Sequence, residues 1–125
     1  MNTANFLKAY NEGRNGCNER YRHWIPRLVY SDGVKECADA GCHWLLDIVA
    51  TEGIDFMRKN AQTFQGVGFV RVEVGDESCV IYVESDDHRQ DWSCDIEYTD
   101  LPDGTFNFML TDEGDHFFMI LMSEY

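Results

Sequence analysis

An α+β fold, with N-terminal helices packed on one face of a C-terminal antiparallel meander sheet of about five strands, is what this chain of 125 residues predicts. Three observations carry the expectation. The apolar period changes from helical to two near Gly66, polar turn stretches then separate runs of strand length, and aromatic residues are spread along both halves. A chain of this length removes about two-thirds of its unfolded surface from water, so a core needs no staples. One domain accounts for it, with residues 1–62 mainly helical and 66–125 an acidic β-sheet part.

The elements follow in order. Thr3 can cap a helix over 3–11 in which Phe6, Leu7 and Tyr10 share a face, and Gly13 and Gly16 end it. Residues 20–27 collect Arg20, Arg22 and Arg27 with Tyr21, His23 and Trp24, and Pro26 forbids a mid-helix reading. Leu28, Val29 and Tyr30 then form a short extended piece. Ser31 or Asp32 caps a second helix through Val34, Cys37 and Ala38, which Gly41 interrupts or ends. Trp44, Leu45, Ile48 and Val49 give a third helix its apolar stripe, and Gly53 closes it. Ile54, Phe56 and Met57 mark one or two further turns, with Arg58 and Lys59 well placed at the negative end.

The strands come next. Val70, Val72 and Val74 alternate with Arg71 and Glu73, and Gly75-Asp76 turns the chain. Cys79, Ile81 and Val83 alternate with Val80, Tyr82 and Glu84, before a polar turn over 85–90. Trp92, Cys94, Ile96 and Tyr98 alternate with Ser93, Asp95, Glu97 and Thr99, the cleanest two-faced strand. Pro102-Asp103-Gly104 turns again, and strands around Phe106-Phe108-Leu110 and Phe117–Leu121 complete the meander. If the Trp92 face is inward, Asp95 and Glu97 point to water, joined by Glu73 and Glu84, so the outer face and rim become a nearly unbroken anionic surface.

Charge is segregated by half. Residues 72–125 hold fifteen acids and one base, Arg89, a net of −14, whereas residues 1–71 hold nine bases and eight acids. A net charge of −13 repels free DNA and anionic membranes and favours basic partners. Five cysteines are an odd set and the first residues lack the apolar core of a signal peptide, so reduced thiols and a cytoplasmic location in a host cell are expected. No apolar run approaches the roughly 20 residues of a membrane helix.

Several segments carry a resemblance. Tyr21-Arg22-His23, Tyr30-Ser31-Asp32-Gly33-Val34, the run from Ala40-Gly41-Cys42-His43-Trp44-Leu45 to Leu46-Asp47-Ile48-Val49-Ala50, Tyr98-Thr99-Asp100-Leu101-Pro102 and Leu121-Met122-Ser123-Glu124-Tyr125 occur in that order. The series resembles a family of small uncharacterised proteins from bacteria, phages and plasmids, catalogued as a domain of unknown function. The sequence departs from that pattern at Cys42-His43, Leu101 and Met122. The resemblance implies a mobile-element setting and one α+β domain, and it transfers no activity.

Residue constellations offer little catalytic chemistry. Cys37, Cys42, His43, His88, Cys94 and His116 could gather around zinc, but the Cys37 to Cys42 spacing falls outside the usual knuckle and has no second cluster. Adjacent helical residues point about 100° apart, so Cys42 and His43 cannot pair, and Cys94 near His88 sits at a core-facing position where thiols are inert. Asp86-Asp87-His88 and Asp112-Glu113 read as solvated turns. The basic island around Tyr21 to Trp24 is expected to pair with the acidic half, with Trp24 in the core. No cofactor or metal is expected.

The acidic sheet face remains. Carboxylates fixed on a rigid surface can replace phosphates and engage Lys and Arg in a groove meant for nucleic acid. The expectation is therefore a non-enzymatic inhibitor from a phage or mobile element that binds a basic nucleic-acid-handling protein or complex of the host, a CRISPR effector in particular. Neither nucleic acid nor membrane is a direct partner, and the protein is a monomer or homodimer. The expected contact set is Glu84, Asp86, Asp87, Asp91, Asp95, Glu97, Asp100 and Asp103. The alternatives are a small metal-dependent or cysteine enzyme of unknown substrate, and a protein that self-associates through an exposed sheet edge.

Overall fold

Ser31 is where the chain passes from strand to helix, and its hydroxyl accepts the Val34 N–H at 3.1 Å, the cap its position predicts. The computed structural model describes residues 3–12, 19–86 and 91–125, Asp91 by its backbone. Helix α1 (Thr3–Asn11) buries Phe6 and Ala9. Phe6 and Tyr10 each meet the Phe106 ring edge-on at 5.0 Å, and the Tyr10 hydroxyl accepts the Asn107 N–H at 2.8 Å.

From Asp32 to Phe64 the chain follows one bent helical path. Helices α2 (Asp32–Cys37), α3 (His43–Ile48), α4 (Ile54–Lys59) and α5 (Ala61–Phe64) are joined first by a wide π-type turn over Ala38–Cys42. A second such turn spans Val49–Gly53. The first holds Gly41 at φ 129°, a conformation only glycine adopts without strain. Gly53 does not end its helix as the sequence suggests; it stays helical, and an added Cβ would make only ordinary van der Waals contact, 3.5 Å from Val83. Each wide turn rotates the apolar stripe. Leu45, Leu46, Val49 and Ala50 are the buried residues, while Trp44 and Ile48 are half-buried.

Among the described residues seven strands form one mixed sheet, correcting the expectation of about five in an antiparallel meander. They are β1 (Arg20–Arg22), β2 (Leu28–Ser31), β3 (Val67–Gly75), β4 (Ser78–Glu84), β5 (Asp91–Ile96), β6 (Gly104–Asp112) and β7 (Phe117–Leu121), in the order β1-β2-β7-β6-β3-β4-β5. The β2 and β7 strands run parallel, and all other pairs are antiparallel. The chain does not turn straight back after β5. Residues 97–103 carry it over the end of the sheet so that β6 pairs with the far side of β3. Seven extended residues reach about 23 Å, and three strand spacings need only about 14 Å, so the crossing is easy.

The inner face matches the period-two reading. Val70, Val72, Cys79, Ile81, Val83, Phe106 and Phe108 are buried against the helical path. The outer face does not match it. It is mixed rather than anionic: Phe69, Arg71 and Glu73 stand beside Val80, Tyr82 and Glu84, and Met109 and Ile120 are buried there outside the main core. No helix among the described residues is long and apolar enough to cross a membrane.

Candidate partner-binding surface

The β5 strand lies at one edge of the sheet, and its side chains divide as alternation requires. Trp92, Cys94 and Ile96 are half-buried, while Ser93 and Asp95 are exposed. Regular pairing ends at Ile96, so Tyr98 does not continue the inward stripe and is 68% exposed. Beyond it the crossing segment is tied down by hydrogen bonds and by the burial of one side chain. The Thr99 N–H donates to the Glu77 carbonyl at 2.7 Å, the Thr99 hydroxyl accepts the Leu101 N–H at 3.2 Å, and Leu101 is buried. The Thr3 hydroxyl also donates to the Asp100 carbonyl at 3.5 Å.

This tether gathers part of the expected contact set. Exposed Glu97, Asp100 and Asp103 share one end of the sheet with Asp76 and Glu77 of the β3–β4 turn, both also exposed. Those two turn acids belong to the surface although they were absent from the expected contacts; the Gly75-Asp76 turn signal placed them at a rim, and only the crossing segment placed them at this one. Asp95 stands on the outer face of the edge strand. Asp86 is exposed but follows Glu84, about 20 Å away at the opposite end of β4. Asp91 pairs by backbone with Glu84, and Asp87 lies outside the described residues.

Glu84 departs from the expectation. It is 5% exposed and held by Arg71, whose Nε and Nη2 donate to its two oxygens at 2.8 and 3.1 Å. Arg71 also pairs with Glu73 and stacks over Tyr82 at 4.1 Å. These bonds, Glu84's first, raise the guanidinium's proton affinity. Glu84 is therefore not part of the exposed anionic surface.

Three other cations of the first half are engaged elsewhere. Arg20 binds Glu113 at 2.7 Å and covers the Phe118 ring at 3.8 Å. Arg27 donates to the Ala50 and Thr51 carbonyls of the wide turn and to Asp55 at 2.7 Å. Lys35 pairs with Asp39 at 2.6 Å. Asp86, Asp95, Glu97 and Asp103 have no ion pair among the described residues. Trp24, expected in the core, is 76% exposed, its indole N–H donating to Asp47 at 3.0 Å.

Nucleophilic chemistry finds poor material. Burial pushes the Cys42 thiol up to about 12 and the Cys79 thiol up to about 11, and Cys94 is also raised, chiefly by burial. Cys17 and His88 lie outside the described residues. His23 is buried with both ring nitrogens occupied: Nδ1 accepts the Ile25 N–H at 3.0 Å and Nε2 lies 2.7 Å from Asp47. Neither is left to move a substrate proton. Among the described residues no three His, Cys, Asp or Glu side chains are grouped to hold a metal ion.

A family model described as a family of unknown function (DUF6876) matches residues 6–125. The chain belongs to DUF6876. No curated protein and no solved structure matches it. In this DUF6876 chain four of the five segments singled out by sequence meet in pairs. Tyr21-Arg22-His23 meets the Trp44–Asp47 turn through the His23–Asp47 contact. Ser31-Asp32-Gly33 meets Ser123-Glu124-Tyr125, because buried Glu124 accepts the Ser31 hydroxyl at 2.5 Å and the Gly33 N–H at 3.2 Å. A Cβ at Gly33 would fall 2.6 Å from that carboxylate, so the glycine is part of the lock. These paired motifs fasten the fold of this chain, and the exposed edge and rim acids lie outside them.

Proposed function

We propose that this protein is a non-enzymatic inhibitor that occupies a basic, nucleic-acid-handling protein by presenting carboxylates where phosphates would lie. In the mobile-element setting that the resemblance implies, a CRISPR effector of the host is the partner to test first. One observation carries the reading: Asp95, Glu97 and Asp103 stay exposed and without an ion pair among the described residues, while Arg20, Arg27, Lys35 and Arg71 are engaged by other groups. Asp76, Glu77 and Asp100 extend the same surface, and Asp86 adds a separate patch.

The tether at Thr99 fastens the segment carrying Glu97 and Asp103 to the end of the sheet instead of leaving a floppy tail, so binding does not pay to order it. Charge complementarity of this kind speeds encounter and makes affinity fall with salt. The test is binding of purified effector complexes to the wild type and to D95K/E97K/D103K. Affinity should fall by at least tenfold in the variant, and the salt slope should flatten by roughly one unit per carboxylate removed. Unchanged affinity with an unchanged slope would refute the mimicry.

A further inference from the structure

We propose that β5 takes an extended, cation-bearing segment of the partner as an added strand, so that the sheet's open edge and not charge alone is the binding element. This rests on the acidic-surface reading above. Two features of the fold support it independently of the acid count.

The first is the edge itself. β5 pairs with β4 through an unbroken register from Cys79↔Ile96 to Glu84↔Asp91, and no described residue pairs its other side. Open edges are normally blunted by shortness, proline, a bulge or an inward lysine, because unpaired N–H and C=O groups template any passing strand. The opposite edge is blunted: β1 has three residues, and Arg20 fastens it to Glu113 and Phe118. β5 has six residues, with neither proline, bulge nor base.

The second is the sign of the groups flanking that edge. Asp95 is exposed on the outer face, Glu97 follows the strand's end, and exposed Glu52 reaches the inner side closely enough to raise the Cys94 thiol, after burial. Negative charge on both faces chooses the occupant. A second copy of this chain would bring another edge carrying Asp95 and a further net charge of −13, whereas a strand with lysine or arginine on its outer face neutralises Asp95. Side chains of an added strand alternate, so basic residues belong beside Asp95 and apolar ones beside half-buried Trp92 and Ile96.

The probe is an eight-residue capped peptide alternating lysine and valine, with two further versions N-methylated on every second residue in the two possible registers. Strand addition uses only alternate N–H groups, so one methylated register should bind at least tenfold more weakly and the other within about twofold of the parent. D95K should weaken the parent peptide, and the β5 amides should exchange more slowly in the complex. Equal binding of both registers, or no binding of the parent, overturns edge addition. If D95K/E97K/D103K still loses the effector in that case, the acidic-surface reading survives alone. A free protein that light scattering shows to be dimeric, with β5 amides already protected, overturns the proposal in favour of a second copy.

Discussion

Glu124 does for the fold what Asp95 does not, although both are carboxylates in the acidic half. Its oxygens accept the Ser31 hydroxyl, the Gly33 N–H and, at 2.8 Å, the Leu121 N–H, joining β7 to the start of α2. Glu124→Ala orphans buried donors and should cost about 2–4 kcal/mol, read as the shift in urea unfolding. Gly33→Ala should destabilise by a similar route, since the pinned carboxylate must move. Glu113 predicts a pH effect. The Arg20 hydrogen bond, then the His116 one, hold its carboxyl below the usual carboxylate range. A lowered folded value means that the stabilisation is present above about pH 4.3 and is lost as pH falls through the lowered value. Amides of β1 should therefore lose exchange protection in acid before those of β3 and β4, and Glu113→Gln should remove the pH dependence. Alternation told which face each strand acid takes. It could not tell that Glu84 meets Arg71 on the neighbouring strand, because that contact depends on the Phe69↔Glu84 register.

At the scale of elements, the β3–β4 turn is the weakest local fit. Asp76 and Glu77 take φ 54° and 63°, the conformation of a tight hairpin turn that prefers Asn-Gly. Asp76→Asn with Glu77→Gly should raise stability by about 1 kcal/mol in thermal unfolding, while the Glu77 carbonyl still accepts the Thr99 N–H. Strand existence was readable throughout β3 to β7, since each has period-two burial or a short apolar run. Their order was not. A Pro-Asp-Gly turn looks the same whether the next strand lies beside β5 or three positions away, and what decides it is that β3 offers Phe106 and Phe108 a side next to Val72 and Val70. The two wide turns were likewise hidden: Gly41 was visible as a break, but the rotation that exchanges Trp44 for Leu46 in the core comes from packing.

For the whole molecule, charge sets a global prediction. The cluster of Asp95, Glu97, Asp100, Asp103, Asp76 and Glu77 repels itself, so raising salt from about 0.01 M to about 0.15 M, which shortens the screening length from roughly 30 Å to 8 Å, should raise the melting temperature by a few degrees. The same change should weaken partner binding. A melting temperature that falls with salt would mean that attractive pairs such as Arg71–Glu84 dominate the field.

The order of residues alone settled the α+β class, the inward residues of the long strands with Tyr98 excepted, and the negative balance of the second half. Those depend on side-chain periods of 3.6 and 2 and on counting charge, all local properties. Strand order, the burial of Glu84, the exposure of Trp24 and the meeting of Glu97 with Asp76 and Glu77 at one rim were decided by tertiary structure. Each depends on which distant segment comes to lie alongside, and that choice is made by core packing and backbone pairing across the sheet.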